Sequence, residues 1–323
     1  MPTQTLVTGG SGYVGAYVVE ALLATGRDVR VLDVLLHRQH AVADAQRSAG
    51  VDVIQGDLRD AAARRRALDG IDEVVHLAAV VGDPASARDP ATSHAVNVDA
   101  THDLVDEAVR AAVRRFVFAS TCSNYGRMAA PTVPIAEDGA LTPVSLYAEQ
   151  KVAVERHLLA EDRNGLEPVC LRFATVYGVA PRMRFDLTVN EFTRDLWADR
   201  RLEVFGEQFW RPYVHVRDAA RAVAIVLDAT GDAVAGQVFN VGRSDENYRK
   251  LDLVREIQAQ LGRRRVEFVR RDEDPRDYKV NFDKVRLGLG FETTMTVPDG
   301  IAEVAAALDR GVFDDPFDLT YRN

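Results

Sequence analysis

The sequence predicts an α/β protein with a doubly wound parallel sheet and a smaller C-terminal α/β domain. Short β-rich runs alternate with helical patterns in the first half of the 323 residues, as expected when right-handed βαβ units build a parallel sheet. A glycine-rich turn joins the first β-rich run to the first helical pattern. After about residue 178 the alternation loosens, which predicts a division into residues 1–178 and 179–323, with some of the later chain returning to the sheet.

The elements of the first half are predicted from their residue types and spacing. Runs rich in Val, Ile, Leu and Phe bounded by polar or glycine residues predict strands. Apolar residues that recur every three to four positions predict helices, most clearly between residues 91 and 112. The predicted strands cover 6–8, 28–33, 51–54, 73–77, 115–119 and 167–172, and the predicted helices cover 13–25, 91–112 and 145–162.

The second half contains longer helical patterns separated by short β-rich runs. No Pro-, Gly- or Ser-rich linker precedes it, so the two predicted domains should pack on each other without slack. The predicted helices cover 187–199, 217–230, 248–261 and 298–310, and the predicted strands cover 201–204, 212–216, 237–241 and 266–269.

Composition excludes several classes of protein. Hydrophobic residues at 47% and charged residues at 28% are ordinary globular values. The net charge of −9 argues against a non-specific nucleic-acid binder. No apolar stretch approaches the roughly 18 residues that span a bilayer, and no signal peptide is recognisable. Two cysteines cannot form a disulfide framework, so a cytoplasmic protein is expected, and no ligand spacing predicts a metal site.

The glycine-rich turn has the sequence TGGSGYVG at residues 8–15. Its glycines permit a tight turn, a close approach of the backbone to a pyrophosphate, and close packing of the helix on the sheet. The N–H groups at the start of the helix would bind the phosphates. The strand–turn–helix context therefore predicts a Rossmann-type dinucleotide site, with contacts at Gly9, Gly12, Tyr13 and Val14.

Two aspartates follow the next two predicted strands. Asp33 lies 18 residues after Gly15, where a carboxylate would hold the ribose hydroxyls of the adenosine. Because that carboxylate would repel a 2′-phosphate, Asp33 favours NAD over NADP. Asp57, followed by Leu58, would accept a hydrogen bond from the adenine amino group, although a simple turn aspartate explains it nearly as well.

Tyr147 and Lys151 stand four residues apart in a predicted helix and therefore share one face. A phenol with a pKa of about 10 is a poor base at neutral pH, and a nearby ammonium lowers that pKa by favouring the phenolate. The tyrosine can then take or return the proton of a hydroxyl while a hydride is transferred. Thr121, in the loop after the fifth predicted strand, is placed to share the same oxygen.

With these motifs the chain resembles the NAD-dependent nucleotide-sugar epimerase/dehydratase family of the extended short-chain dehydrogenases/reductases. The resemblance covers essentially the whole chain. Besides TGGSGYVG and YAEQK, it rests on HLAA at 76–79, LRFATVYG at 171–178, RPYVHVRD at 211–218 and a tail pattern at 276–288.

The resemblance implies an NAD-binding domain over residues 1–178, which carries the catalytic Thr121, Tyr147 and Lys151, and a mainly nucleotide-sugar-binding domain over residues 179–323. The family pattern S-[ST]-x-x-x-Y-G places the catalytic hydroxyl at Thr121. Implied NAD contacts also include Leu77, Ala78, Ala79, Tyr147 and Lys151, and implied substrate contacts are Thr121, Cys122, Ser123, Asn190, Arg211 and Arg276. Among the latter, Asn190 and Arg211 are expected near the nucleotide diphosphate, and Arg276 is expected to be another anion contact.

The resemblance also implies a homodimer in which the helices at 91–112 and 145–162 pair with their copies. Both helical patterns carry apolar residues beyond the side expected to face the sheet. The residues that suggest this second apolar surface are Ala111, Val113, Val152, Leu158 and Leu159.

Departures from the family pattern narrow the reaction. Dehydratases carry acidic residues just after the catalytic threonine, but Cys122 and Ser123 stand there, so dehydration is disfavoured. The leading hypothesis is an epimerase that oxidises a ring hydroxyl to a ketone and reduces it again with tightly held NAD. The alternative is a nucleotide-sugar 4-dehydrogenase or ketoreductase that exchanges its NAD(P) in each cycle. A nucleotide-sugar dehydratase and a non-catalytic NAD-sensing protein are less favoured hypotheses.

Overall fold

The computed structural model describes residues 2–37, 39–128, 133–160, 165–262, 265–269 and 276–323. Its largest element is a parallel sheet of seven strands with the order β3-β2-β1-β4-β5-β6-β10. The strand order reverses between β1 and β4, so the crevice for ligands opens at the carboxyl ends of these strands. The strands are β1 (Gln4–Thr8), β2 (Asp28–Asp33), β3 (Asp52–Gln55), β4 (Glu73–His76), β5 (Arg115–Thr121), β6 (Glu167–Phe173) and β10 (Gln237–Val241).

Helices cover both faces of the sheet, which confirms the predicted doubly wound α/β class. On one face, α1 (Gly15–Ala24) packs against α9 (Val216–Asp228) over the apolar side chains of β1 and β6. On the other face, α3 (Ala61–Leu68) packs against α6 (Ala100–Arg110), which in turn packs against α7 (Leu146–Leu159). Among the helices of the first half, α2 (His40–Ser48), α3 and α4 (Asp83–Arg88) were not predicted, and none of them is longer than nine residues.

The long helix predicted at 91–112 is interrupted in the structure. It consists of α5 (Pro90–His94), a π-helical turn at Ala95–Asp99, and α6. The side chain of Asn97 leaves this wider turn to bind both the N–H and the C=O of Val80, at 2.7 and 3.0 Å. The turn thus fixes the loop after β4, and π-turns inside helices are frequently found at functional sites.

The chain from residue 175 onward forms the remaining elements, apart from β10 and α9. Many of their apolar side chains form a separate core that includes Val189, Phe192 and Ile301, whereas Val234 and Val285 join the core on the large sheet. In the part of the chain that the structure describes, no helix is long and apolar enough to cross a bilayer. The elements are β7 (Thr175–Tyr177), α8 (Thr188–Trp197), β8 (Leu202–Phe205), β9 (Trp210–His215), α10 (Gly231–Val234), β11 (Asn247–Arg249), α11 (Lys250–Leu261), β12 (Val266–Val269), α12 (Asp283–Leu289) and α13 (Val297–Asp309).

Most predicted element boundaries agree with the structure to within about three residues. Ser145 caps α7, its hydroxyl accepting the N–H of Ala148 at 3.4 Å. The predicted end of this helix at 162 lies outside the described residues. The short strands β7 and β11 were missed, since three residues carry too little periodicity to be recognised.

Candidate active site

A cavity of about 490 Å³ lies at the carboxyl ends of the central strands, and this volume suits a small-molecule ligand. Its walls come from the loops after β1 to β6 and from the segment between β7 and α8. Every cofactor contact that the sequence predicts lines it: Gly9, Gly12, Tyr13, Val14, Asp33, Asp57, Leu58, Leu77, Ala78, Ala79, Tyr147 and Lys151.

The glycine-rich turn has no room for a side chain at Gly9 or Gly15. Gly9 has a φ of +71°, and a Cβ there would lie 2.9 Å from the backbone nitrogen of Ala78. A Cβ on Gly15 would lie 2.2 Å from the carbonyl oxygen of Gly9. The first N–H groups of α1 lack partners within the helix, so this bare turn suits a pyrophosphate. The residues present therefore fit the dinucleotide that the motif predicts.

Asp33 stands at the end of β2 with both carboxylate oxygens held by the backbone. The N–H of Leu35 donates to Oδ1 at 2.9 Å, and that of Ser11 donates to Oδ2 at 3.1 Å. Burial raises the pKa of Asp33 despite these bonds. Sequence reasoning missed Arg182, a buried cavity residue whose positive charge acts on this carboxyl. At this end of the cavity the positive charge of Arg182 therefore acts on the Asp33 carboxylate.

Replacing Asp33 with alanine is expected to narrow the preference for NAD over NADP by at least about tenfold. The change removes the charge that repels a 2′-phosphate and leaves Arg182 to attract it. Binding titrations with both dinucleotides measure the ratio. Asp57→Ala is the matched control, because Asp57 lines the same cavity but pairs with Arg59 at 2.6 Å. Equal or tighter NADP binding by the unchanged protein contradicts the assignment of Asp33.

Tyr147 and Lys151 lie in the first two turns of α7 and both line the cavity. The Lys151 ammonium donates to the carbonyl of Ala119 at 2.7 Å and sits 4.5 Å over the ring of Phe118. It is also 5.8 Å from the centre of the Tyr147 ring. Tyr147 and Lys151 therefore share one face of the helix, as the sequence predicts.

The electrostatics around Tyr147 differ from the sequence-based expectation. Burial raises the pKa of the Tyr147 phenol above its ordinary value, and Lys151 is not among the charges that shift it. The charges that act on it are Arg184, which lowers the pKa, and Asp83, which raises it. Burial lowers the pKa of Lys151 itself to about 7. Without ligands, the cation that acts on the phenol is therefore Arg184.

Because Lys151 is buried as a cation, it is expected to cost stability in the ligand-free protein. Its folded pKa of about 7 lies below the unfolded value near ~10.4, so between these values the unfolded chain holds more protons and stability rises with pH. Lys151→Met should therefore raise the free energy of unfolding by roughly 1–4 kcal/mol at pH 6 and by much less near pH 10. Denaturant unfolding at both pH values measures this. Lys279→Met, outside the cavity, is the control, and a gain that does not depend on pH contradicts the prediction.

The loop after β5 brings Thr121 and Ser123 to the cavity. Thr121 accepts the N–H of Ser123 at 3.1 Å through Oγ1, and the Ser123 hydroxyl lies 3.2 Å from that of Tyr278. The Thr121 hydroxyl proton can still be donated to a ligand. Both side chains are therefore placed as the sequence predicts for contact with a substrate.

Cys122 does not reach the cavity. Its side chain is buried in the core below the loop, and the thiol donates to the carbonyl of Arg172 at 3.1 Å. Burial raises the pKa of the thiol well above its usual value. Cys122 begins a 3₁₀ turn directly after β5, and its side chain packs into the core while Thr121 and Ser123 line the cavity, so the expected substrate contact is not supported.

Two residues expected to hold a diphosphate are instead engaged by the protein. Asn190 is fully buried, and its amide binds the backbone of Gly178 and Arg184 and the hydroxyl of Tyr13. Arg211 donates to the backbone carbonyl of Arg276 and is nearly buried. Neither lines the cavity, so this geometry does not support direct contacts from them.

Arg276 lies at the cavity wall as expected for an anion contact. Its guanidinium pairs with Asp83, with 2.8 Å between Nη1 and Oδ2. Asp83 begins α4, directly after Gly82, which has a φ of +94°. Sequence reasoning missed Asp83, Arg182 and Arg184, because loops distant in the sequence bring them to the cavity.

A buried polar network supports the catalytic loop from below. Glu155, one helical turn beyond Lys151, accepts bonds from Ser120 and from Asn124 at 3.0 Å. Arg172 binds the same carboxylate at 2.7 and 3.0 Å and donates to the Tyr125 hydroxyl at 2.9 Å. Both members of this ion pair are nearly inaccessible, so the network holds the loop in one arrangement.

These features define an NAD-dependent oxidoreductase of the extended short-chain dehydrogenase/reductase type, with a Tyr–Lys pair beside a dinucleotide cavity. Within the described residues, no group of three or more His, Cys, Asp or Glu side chains could hold a metal ion. Residues 5–242 match the NAD dependent epimerase/dehydratase family, and the chain belongs to that family.

Known proteins similar to this chain include enzymes of both named activities. It is 32% identical to a UDP-glucose 4-epimerase of Mycolicibacterium smegmatis, covering 93% of this chain and 96% of that one. It is 30% identical to a dTDP-glucose 4,6-dehydratase of Streptomyces niveus, covering 93% and 91%. Among solved structures, MoeE5 in complex with UDP-glucuronic acid and NAD superposes with a TM-score of 0.82 at 27% identity, covering 95% and 99%.

Proposed function

We propose that the protein is a nucleotide-sugar epimerase that oxidises a ring hydroxyl to a ketone and reduces the ketone on its other face. The observation that carries this proposal is the Thr121, Tyr147 and Lys151 set in the NAD cavity, with no carboxylate at residues 122 and 123. Relatives with 4-epimerase activity support it. The oxidation and the reduction cancel, so the net reaction needs no external oxidant.

The chain's own residues divide the work in this mechanism. NAD, when bound, supplies the hydride chemistry. Tyr147 takes the proton from the hydroxyl that is oxidised and returns it on reduction, while the Thr121 hydroxyl orients the same oxygen. Arg184 supplies positive charge that favours the phenolate, and the Lys151 ammonium lies 5.8 Å from the centre of the Tyr147 ring. Arg276 is placed to bind the diphosphate, since a guanidinium fork matches phosphate oxygens.

The residues on two sides of the cavity favour an epimerase over the alternative, a 4-dehydrogenase or ketoreductase that exchanges its cofactor. Residues from the segment after β7 join those of the glycine-rich turn around the same cavity, among them Arg182, Arg184 and Leu187. A dinucleotide covered from both sides would leave slowly. Retention suits a reaction that regenerates the cofactor in every cycle.

Product analysis separates the candidate reactions. The purified protein would be incubated with UDP-glucose, dTDP-glucose and related nucleotide sugars, with and without added NAD, and products identified by NMR. An epimerase gives an epimer without accumulating NADH, and Tyr147→Phe gives none. Accumulation of NADH in proportion to product indicates a dehydrogenase, and a product lighter by one water indicates a dehydratase.

We also propose a cytoplasmic homodimer that pairs through α6 and α7. Of the apolar residues that suggested this interface, Val113, Val152 and Leu158 are buried inside the chain, whereas Ala111 is exposed and Leu159 is partly exposed. The outward face of α7 carries Glu149, Ala153 and Arg156. A twofold axis near Ala153 would set Glu149 opposite the partner's Arg156. Two buried free cysteines suit a reducing compartment.

Light scattering at micromolar concentration is expected to give twice the mass of the 35.6 kDa chain. Ala153→Arg, which adds bulk and charge at the proposed axis, should shift the protein toward the monomer. Asp69→Arg, on an exposed loop end, is the control and should stay dimeric. A monomeric parent protein contradicts the proposal.

A further inference from the structure

Asp83 is a carboxylate in the cavity with one oxygen left unused. Oδ2 pairs with Arg276 at 2.8 Å, whereas Oδ1 is buried and has no hydrogen-bond partner among the described residues. Asp83 lines the cavity at the start of α4, which packs against α7, and its charge acts on the Tyr147 phenol. A buried acceptor without a donor raises the free energy of the folded protein. We therefore expect a bound ligand to donate a hydrogen bond to Oδ1.

Binding of the proposed substrate would make a hydrogen bond to the Asp83 carboxylate still more favourable. The diphosphate and Asp83 would compete for the guanidinium of Arg276, because both are anions that suit its fork. Once Arg276 turns to the diphosphate, the Asp83 carboxylate beside Tyr147 loses its compensating charge. The nearest group that could replace it is the sugar under the reacting tyrosine, which offers hydroxyl donors.

Arg184 also lines the cavity, but it does not attract an anion strongly enough to offset the repulsion from the Asp83 carboxylate. Its guanidinium is bound by both oxygens of Asp186, with Nε–Oδ1 at 3.0 Å and Nη2–Oδ2 at 2.7 Å. Its charge is therefore largely compensated before any ligand enters. A sugar carboxylate next to Tyr147 would lie close to the Asp83 carboxylate, and the two negative charges would repel each other.

We propose that Asp83 is a specificity residue that accepts a hydroxyl of a neutral sugar and excludes a sugar that carries a carboxylate. The inference rests on the proposed function, since it concerns the sugar end of the same site. It assigns neutral hexoses, and not hexuronic acids, as the substrate class of this chain. The structurally similar MoeE5, solved with UDP-glucuronic acid, shows that the fold itself does not impose this choice.

The test compares the binding of UDP-glucose and UDP-glucuronic acid to the full chain with NAD, by calorimetry, and repeats it with the thymidine diphosphate sugars. The parent protein should bind the neutral sugar at least about tenfold more tightly, the size expected of a hydrogen bond to a charged group. Asp83→Asn should reduce this ratio to about threefold or less, mainly because UDP-glucuronic acid binds more tightly to the variant. Asp69→Asn removes the same charge at an exposed position outside the cavity and should keep the parent ratio.

Equal or tighter binding of the uronic acid by the parent overturns the inference, as does an unchanged ratio in Asp83→Asn. Binding is measured apart from turnover, so the two proposals fail in different ways. The expected ratios together with a dehydrated or net-oxidised product leave the role of Asp83 standing and overturn the epimerase. Absence of binding by every nucleotide sugar overturns both.

Discussion

Replacing Tyr147 with phenylalanine is expected to lower turnover by at least ~10²–10⁴-fold, the usual effect of losing a general acid–base. The ring and its packing remain, so NAD and nucleotide-sugar binding should survive. The measurement is the rate on the true substrate, with ligand binding by titration on the same preparation. A rate within a few-fold of the parent, with the fold intact, means that this site is assigned wrongly.

Two further variants calibrate this result. Thr121→Ala should cost less than Tyr147→Phe, because it removes a hydrogen bond and not the proton acceptor. Lys151→Arg should not restore full activity, since the larger planar guanidinium cannot occupy the narrow site between Ala119 and Phe118 in the same way.

The local part of the site could be predicted from the sequence because its chemistry depends on short spacings. The glycines at 9, 12 and 15 need only one turn, and Tyr147 and Lys151 need only one helix. Asp33 follows from the regular length of a βαβ unit. In each case one secondary-structure element fixes the relative positions of the residues.

The rest depends on contacts between segments far apart in the sequence. Asp83 and Arg276 are separated by more than half of the length of the chain, and no spacing in the sequence links them. The inward turn of Cys122 depends on how the loop after β5 settles on β6. Asn190 binds Tyr13 and Gly178 because the segments that carry these three residues meet in the folded chain. Such placements become visible only when the core is assembled.

The pair of Arg172 and Glu155 gives the largest stability effect expected of a single substitution here. Arg172→Met leaves a buried carboxylate without its counter-charge, and breaking a buried pair in this way costs about 3–5 kcal/mol. Because Glu155 also holds Ser120 and Asn124, the catalytic loop should loosen and turnover should fall with it. Denaturant unfolding and the steady-state rate measure the two effects.

Arg286→Met is the matched control: Arg286 pairs with Asp283 at 2.9 Å on the surface, where such pairs contribute about 0–1 kcal/mol. Adding Glu155→Gln to Arg172→Met should recover part of the lost stability, since it removes the unpaired charge. A cost for Arg172→Met no greater than that for Arg286→Met would show that the network does not support the loop.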